Sequence, residues 1–289
     1  MSSRKISYQA LARGVFSILI FLLLWEIGSR SKSWLGADLF TPLRELLGAL
    51  GFKKTYLPWV GAIPAPTEVL QAWVSVIVDP GYWQSWYKSS FRVAAGFIAA
   101  MLIGIPFGLC LAVSRTAYGI GFPVFEVLRP IPPLAWVPAS IIFWPTQEMS
   151  IAFVTFLGAF YTIVINVVGG AKSIDVRYFQ AAQSMGSSRA DIFMRIILPG
   201  TLPSIAIGSA VGMGNTWEVV VAAEMISGGG SQVGGTGGGG LGFFIWNSYV
   251  GGSYEQIVVG MISIGIAGFI SSELLRSLGK YVTPWLRLR

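Results

Sequence analysis

Three stretches of this chain, Val93 to Val113, Met149 to Gly170 and Ile196 to Trp217, run without a single charged residue. Each is long enough to cross a bilayer as a helix, which takes about 20 apolar residues. The rest of the chain agrees. Of its 289 residues 54% are hydrophobic and 11% charged, against roughly 25% charged in an ordinary soluble domain, and the mean hydropathy is +0.66. The fold class that follows is an all-α polytopic membrane protein.

Extending outward from those stretches places six spans, near residues 10–28, 90–113, 118–145, 149–170, 202–225 and 256–276. An even count puts both termini on one side. Short cytoplasmic segments hold the excess of Lys and Arg. With the N-terminus inside, that set is Arg4, Lys5, Arg13, Arg115, Lys172, Arg177, Arg189, Arg195, Arg276, Lys280, Arg287 and Arg289. Most of the other basic residues, including Arg30, Lys32, Arg44, Lys53 and Lys54, fall in a long first outer loop. The basic residues follow the membrane edges without a dense patch, so the net charge of +7 points to topology and anionic lipid headgroups, not to nucleic acid.

The expected organisation is one transmembrane domain over 1–289, with an outer loop at 29–89, a cytoplasmic elbow at 171–200 and a glycine-rich outer loop at 226–255. The first span is read as uncleaved, because in "EIGSRSKSW" two cations stand where a signal cleavage site wants small residues. Cys110 is read as a small core residue of the second span, and a single cysteine builds no disulfide or thiol metal site within one chain.

In the first outer loop, Thr41-Pro42 starts a short helix with Leu43, Leu46, Leu47 and Leu50 on one stripe. A second helix is expected within 63–77, with Thr67 as its cap and Val69, Leu70, Trp73, Val76 and Ile77 along one side. Trp83, Trp86 and Tyr87 then suit a headgroup region. Four prolines between Pro130 and Pro138 break the third span, and freed backbone at membrane depth belongs in the protein interior.

Between Gly228 and Gly242 lie ten glycines, and Gly235, Gly237 and Gly240 fit the dinucleotide spacing G-x-G-x-x-G. The spacing has meaning only between a strand and a helix. Here it follows the end of a membrane helix and reads as an outer loop. Nor does the chain hold a G-x-x-x-x-G-K-[ST] phosphate loop, since Tyr281 follows Gly279-Lys280.

The segment from 169 to 205 reads as two short helices joined at a glycine. Val176, Phe179 and Ala182 recur at intervals of three, Gly186 can end a helix in the left-handed conformation, and Ser188 with Asp191 forms a capping-box start. Ile192, Phe193, Ile196 and Ile197 form the second helix's apolar side.

Here the chain resembles the permease subunits of binding-protein-dependent ABC importers. Their signature is Glu-Ala-Ala, three residues, Gly, nine residues, Ile, one residue, Leu-Pro. Gln180-Ala181-Ala182, Gly186, Ile196 and Leu198-Pro199 stand at that spacing, with Gln for Glu at 180. Phrases such as "LRPIPPLAWVPASIIF" and "GLGFFIWN" are similar to the nitrate, bicarbonate and sulfonate (taurine) branch.

The resemblance implies a type I importer permease fold, a second permease subunit, two ATP-binding-cassette ATPase subunits that hold ATP and Mg, and a soluble or lipid-anchored binding protein. This chain itself would hold no cofactor and no metal. The elbow residues Gln180, Ala181, Ala182, Ser184, Gly186, Ser187, Ser188, Arg189, Asp191, Ile196, Leu198 and Pro199 would couple to the ATPase. The implied substrate is a small anion, nitrate or bicarbonate first, with taurine, alkyl sulfonates or a pyrimidine precursor as alternatives.

Charges inside membranes face the bundle interior. Arg129 is therefore either a pathway cation or one half of a structural pair with Glu126, and Asn215, Thr216, Trp217 and Glu218 are further pathway candidates. Glu224, nearer the outer end, reads as a helix-end or gate contact. An intramembrane enzyme is disfavoured, since the chain has no histidine. A channel or secondary carrier would need no cytoplasmic elbow.

Overall fold

The computed structural model describes residues 8–35, 41–51, 63–228 and 239–285, and every regular element among them is helical. Residues 229–238, with Gly235 and Gly237 of the dinucleotide spacing, lie outside the described residues, as do Lys53, Lys54 and the basic residues of both termini. The chain forms two compact units, Met1–Asp79 with Ser248–Val259, and Pro80–Asn247 with Gly260–Arg289.

In the first unit, α1 (Tyr8–Leu35) runs past its expected end, and α2 (Thr41–Ala49) and α3 (Pro66–Val76) are the two short helices of the loop. Thr67 does not cap α3. The helix starts from Ala65, whose amide donates to the Glu68 carboxylate at 2.9 Å, with Pro66 in first position. Thr67 is thereby released to bond α1: its hydroxyl and amide donate to Glu26 at 2.9 and 3.2 Å, and Arg30 bonds both residues. Only part of the expected α3 stripe is covered, for Val69 and Val76 are buried while Leu70 and Ile77 are exposed.

The second unit is organised around α7 (Gln147–Lys172), which packs against α4 (Pro80–Val113) on one side and α10 (Leu198–Gly228) on the other. Helices in lipid gain little from hydrophobic sorting and associate through close packing of small residues. A Cβ on Gly96 or Gly108 of α4 would stand 2.8 Å from Thr155 or Val167 of α7, and one on Gly208 of α10 would stand 2.6 Å from Asn166. These glycines let the three backbones meet. Gly96, Ala100, Gly104, Gly108 and Leu111 mark the covered stripe of α4; Cys110, two residues past Gly108, falls off it and is exposed, contrary to its expected place in the core.

Among the described residues, five helices are long and apolar enough to cross a membrane; they contain residues 12–31, 80–113, 147–172, 189–226 and 254–282. The expected third span is not among them. Its sequence makes α5 (Arg115–Leu128), a 3₁₀ turn (Pro133–Trp136) and a short α6 (Val137–Phe143), because the prolines at 130, 132, 133 and 138 remove ladder donors and crowd the preceding carbonyls. α5 is braced by aromatic rings: Phe125 packs on Phe107, Phe160 and Tyr161, Tyr118 stacks on Phe122 at 4.5 Å, and the Lys172 ammonium sits 3.5 Å over the Tyr118 ring. That bracing fixes the end of α5, where Arg129 lies.

α8 (Val176–Ser184) and α9 (Arg189–Ile192) form the elbow; α11 (Leu241–Val250) and α12 (Tyr254–Val282) complete the chain. A π turn (Phe193–Ile197) joins α9 to α10 without a break, so residues 189–226 form one helix. The wide turn falls where Pro199 would crowd the Arg195 carbonyl four residues back, and the Leu198 amide reaches Phe193 instead.

Candidate functional site

The elbow takes its shape from one glycine and one serine. α8 begins at Asp175, whose carboxylate accepts from the Arg177 amide at 2.9 Å. It ends at Gly186, which has φ +74°, a left-handed conformation open to glycine at little cost. The Gly186 amide bonds the Gln183 carbonyl and the Ser187 amide bonds the Ala182 carbonyl, both at 3.0 Å, which is the Schellman pattern of closure. Two residues later Ser188 caps α9: its hydroxyl accepts from the Asp191 amide at 3.1 Å, and the Asp191 carboxylate accepts from the Ser188 amide and hydroxyl. The turn between the two helices is thus pinned from both sides.

What the elbow presents is polar backbone and small side chains. Gln180, Ala181, Ser184, Gly186, Ser188 and Arg189 are exposed, Ala182 is buried beneath them, and Ser187, Asp191, Ile196, Leu198 and Pro199 are half-buried. Of the three residues that recur at intervals of three in α8, Ala182 is buried, Phe179 half-buried and Val176 exposed. Met185, 78% exposed at the bend, is an apolar side chain with no cover from its own chain. Beside the elbow a cavity of about 780 Å³ opens between Asp175 and Tyr178 on one side and Arg195, Pro199 and Trp285 on the other.

A second cavity, about 440 Å³, lies within the helices. Arg129 and Pro132 to Leu134 line it from the broken segment, Tyr161 and Thr162 from α7, and Asn215, Glu218 and Val219 from α10. Asn215 Nδ2 donates to Thr162 Oγ1 at 2.9 Å. Three of the five residues named as pathway candidates, Arg129, Asn215 and Glu218, therefore meet at one space. Thr216 and Trp217 do not reach it: Thr216 is fully buried and bonds the Gly212 carbonyl, while Trp217 donates to Ser271 of α12 at 3.0 Å. Helical geometry separates them, since residues three apart share a face and consecutive ones do not. Arg129 pairs with Glu126 at 3.6 Å, and both side chains stay part-exposed.

Residues 100–288 match the family described as the inner membrane component of binding-protein-dependent transport systems. The chain is 34% identical over 229 residues to a nitrate import permease protein of Leptolyngbya laminosa, covering 76% of this chain and 78% of that one. It is 33% identical over 228 residues to a taurine transport system permease protein of Escherichia coli, covering 77% and 80%.

The chain is an ABC-importer permease.

An inward-facing structure of the MetNI methionine ABC transporter superposes with TM-score 0.54 at 18% identity, covering 71% of this chain and 97% of that one. At that identity the likeness concerns the fold, which is the type I permease architecture. Among the described residues, the elements flanking the glycine run are helices: α10 ends before it and α11 starts after it.

The permease holds one further cluster that the sequence reading passed over. Arg92 of α4 is only 4% exposed and lies between two carboxylates. Its Nη1 donates to Glu224 of α10 at 2.8 Å and to the Gly239 carbonyl at 2.6 Å, while Nε and Nη2 both bond Glu148 of α7. Glu224, itself buried, also accepts from Ser89 at 2.8 Å and from the Gly242 amide at 2.9 Å, and Ser89 accepts from the Leu241 amide at 2.8 Å. The cluster joins the first half of α4, the first turn of α7 and the last turns of α10, which is the end of the bundle opposite the elbow. It fixes the start of α11 and the last glycines of the run, so residues 239–242 are an anchor. Arg92 was legible as the cation bordering a charge-free run, and Glu224 as an acid near the end of another; nothing in the sequence joined them.

The anchor leaves no room for a side chain. A Cβ on Gly242 would stand 2.2 Å from the Val221 carbonyl oxygen. Gly242→Ala is expected to lower stability by about 1–3 kcal/mol, the usual cost of overpacking, read as a fall in melting temperature of the purified permease.

Proposed function

We propose that this permease forms the membrane path for a small anion, nitrate or bicarbonate, handed over by a binding protein and driven by two ATPase subunits that dock on the elbow at 176–192. The observation that carries the reading is the elbow: an exposed turn pinned by Gly186 and Ser188, carrying the family signature at its spacing and offering an uncovered Met185 at the bend. Two copies of the chain would line the path, with ATP and Mg held by the ATPases and both termini cytoplasmic. The elbow then faces the ATPase and the Arg92 cluster faces the binding protein. ATP binding would draw the elbows together and rock the helices from inward-open to outward-open, a rigid-body switch driven by the difference in ATP affinity between two states.

The anion reading is supported by the nitrate permease relatives and by Arg129, the cation on the 440 Å³ cavity. Glu218 on the same wall opposes a bare anion. Asn215 and Thr162 supply neutral hydrogen-bonding groups there. A second reading keeps the mechanism and changes the cargo to taurine or an alkyl sulfonate; the similarity to a taurine permease favours it.

The test is reconstitution of the permease with its ATPase and binding protein in vesicles. ATP-dependent uptake of nitrate or bicarbonate is expected, reduced at least tenfold by Arg129→Ala. Uptake without ATP would sink the importer reading, and unchanged uptake by Arg129→Ala would remove that residue from the path. Taurine taken up in preference to both anions would select the second reading.

A further inference from the structure

The two edges of the Arg92 guanidinium differ. Nη1 is tied into the buried side of the cluster, to Glu224 and the Gly239 carbonyl. Nε and Nη2 face outward and hold the Glu148 carboxylate in a two-pronged contact. Glu148 is the one member of the ion cluster with substantial access to solvent, its side chain 53% exposed against 4% for Arg92 and 0% for Glu224. It stands in the first turn of α7, where it can swing away without disturbing the packed stripe of that helix.

A guanidinium edge reads shape as well as charge: two parallel N–H donors match two oxygens in a plane. A carboxylate has that outline, and so do nitrate and bicarbonate. Exchanging Glu148 for a planar monoanion would conserve the number of hydrogen bonds on Arg92 and its count of negative neighbours, with Glu224 and Gly239 holding the guanidinium in place throughout. Lys88 adds positive charge beside the edge, since its charge acts on Glu148 and its ammonium lies 3.0 Å from the Cβ position of Gly239.

We propose that the Nε/Nη2 edge of Arg92 is a binding site for a trigonal planar monoanion, and that Glu148 occupies it as a built-in competitor. Its place as the first contact for a transported anion rests on the import reading above; the binding itself does not. A tethered carboxylate competes at a high effective concentration, so the site stays closed to dilute anions and opens to one presented at high local concentration.

The experiment is nitrate titration by calorimetry of the full chain in lipid nanodiscs, all variants carrying Arg129→Gln to silence the cavity cation. Glu148→Gln removes the competing charge from an exposed position and is expected to tighten nitrate binding at least tenfold, with acetate competing and chloride competing poorly. Adding Arg92→Lys keeps the charge, removes the fork and is expected to abolish the gain. Equal nitrate affinity before and after Glu148→Gln, no measurable binding in either, or a gain that survives Arg92→Lys would each overturn the proposal. The transport reading is judged separately: a tenfold gain alongside a reconstituted importer that moves neither nitrate nor bicarbonate would leave the site standing and the cargo wrong.

Discussion

Gly186→Val is expected to cut ATP-driven uptake by roughly five- to thirty-fold while the permease still inserts and folds. The cause is local. Gly186 has φ +74°, and no atom stands within 4 Å of a Cβ placed there, so the substitution meets no clash inside the chain and acts through the backbone. An L-residue in the left-handed region costs about 1–2 kcal/mol, and a β-branched one is a genuine outlier. Relief requires breaking the hydrogen bonds that the Gly186 and Ser187 amides donate to close α8, which would turn the elbow out of register with the proposed ATPase. Gly186→Asn separates conformation from fit, because asparagine tolerates this region. Uptake retained by Asn and lost by Val assigns the effect to the backbone; uptake lost by both assigns it to the added side chain. Normal uptake by Gly186→Val would show that the elbow's closure has no part in coupling.

Arg92→Met has the larger expected effect on folding. It strands Glu224 as a buried carboxylate without its cation, and breaking a buried ion pair from one side costs about 3–5 kcal/mol. Ser89 and the Gly242 amide continue to bond the carboxylate but supply no charge. The variant should lose its monodisperse peak in size-exclusion chromatography or melt far below the parent. Arg92→Met combined with Glu224→Gln removes both charges and keeps the hydrogen bonds to Ser89 and Gly242, so much of the loss should return; the double-mutant cycle reads the coupling directly. A single variant as stable as the parent would show that Glu224 tolerates burial without Arg92.

Charge-free runs and helical periodicity made the membrane class, the five long helices and the elbow legible before any coordinates. The turn of the elbow was readable to the residue because capping chemistry is local, Gly186 and Ser188 bonding partners within five positions, but the run of its second helix unbroken into α10 was not. The proline-rich segment was readable as a break but not as α5, a 3₁₀ turn and α6, since where a helix resumes after proline depends on what braces it. Thr67 misled because it is the hydroxyl residue at the start of α3 while Ala65 and Pro66 open the helix, and its engagement with Glu26 lies 41 positions away. The pathway candidates divided for a similar reason. A cluster of polar residues at 215–218 reads as one feature in sequence, yet a helix deals them to different faces, giving Asn215 and Glu218 to the cavity and Thr216 and Trp217 to the packing. Arg92, Glu148 and Glu224 come from three helices, and no local pattern links them.

The unbroken helix from Arg189 to Ile226 makes the elbow and the buried ion cluster the two tips of a single lever. At about 1.5 Å of rise per residue its 38 residues extend roughly 57 Å. A tilt of about 5° around its middle would shift the tips by about 2.5 Å in opposite directions, given that rise. Asp191 rides near one tip and Glu224 near the other, so on such a tilt the two would move in opposite directions, Glu224 against Arg92. Force applied by a nucleotide-driven partner at one surface would then be felt at the other as a change in one salt bridge, with no relay of side chains in between.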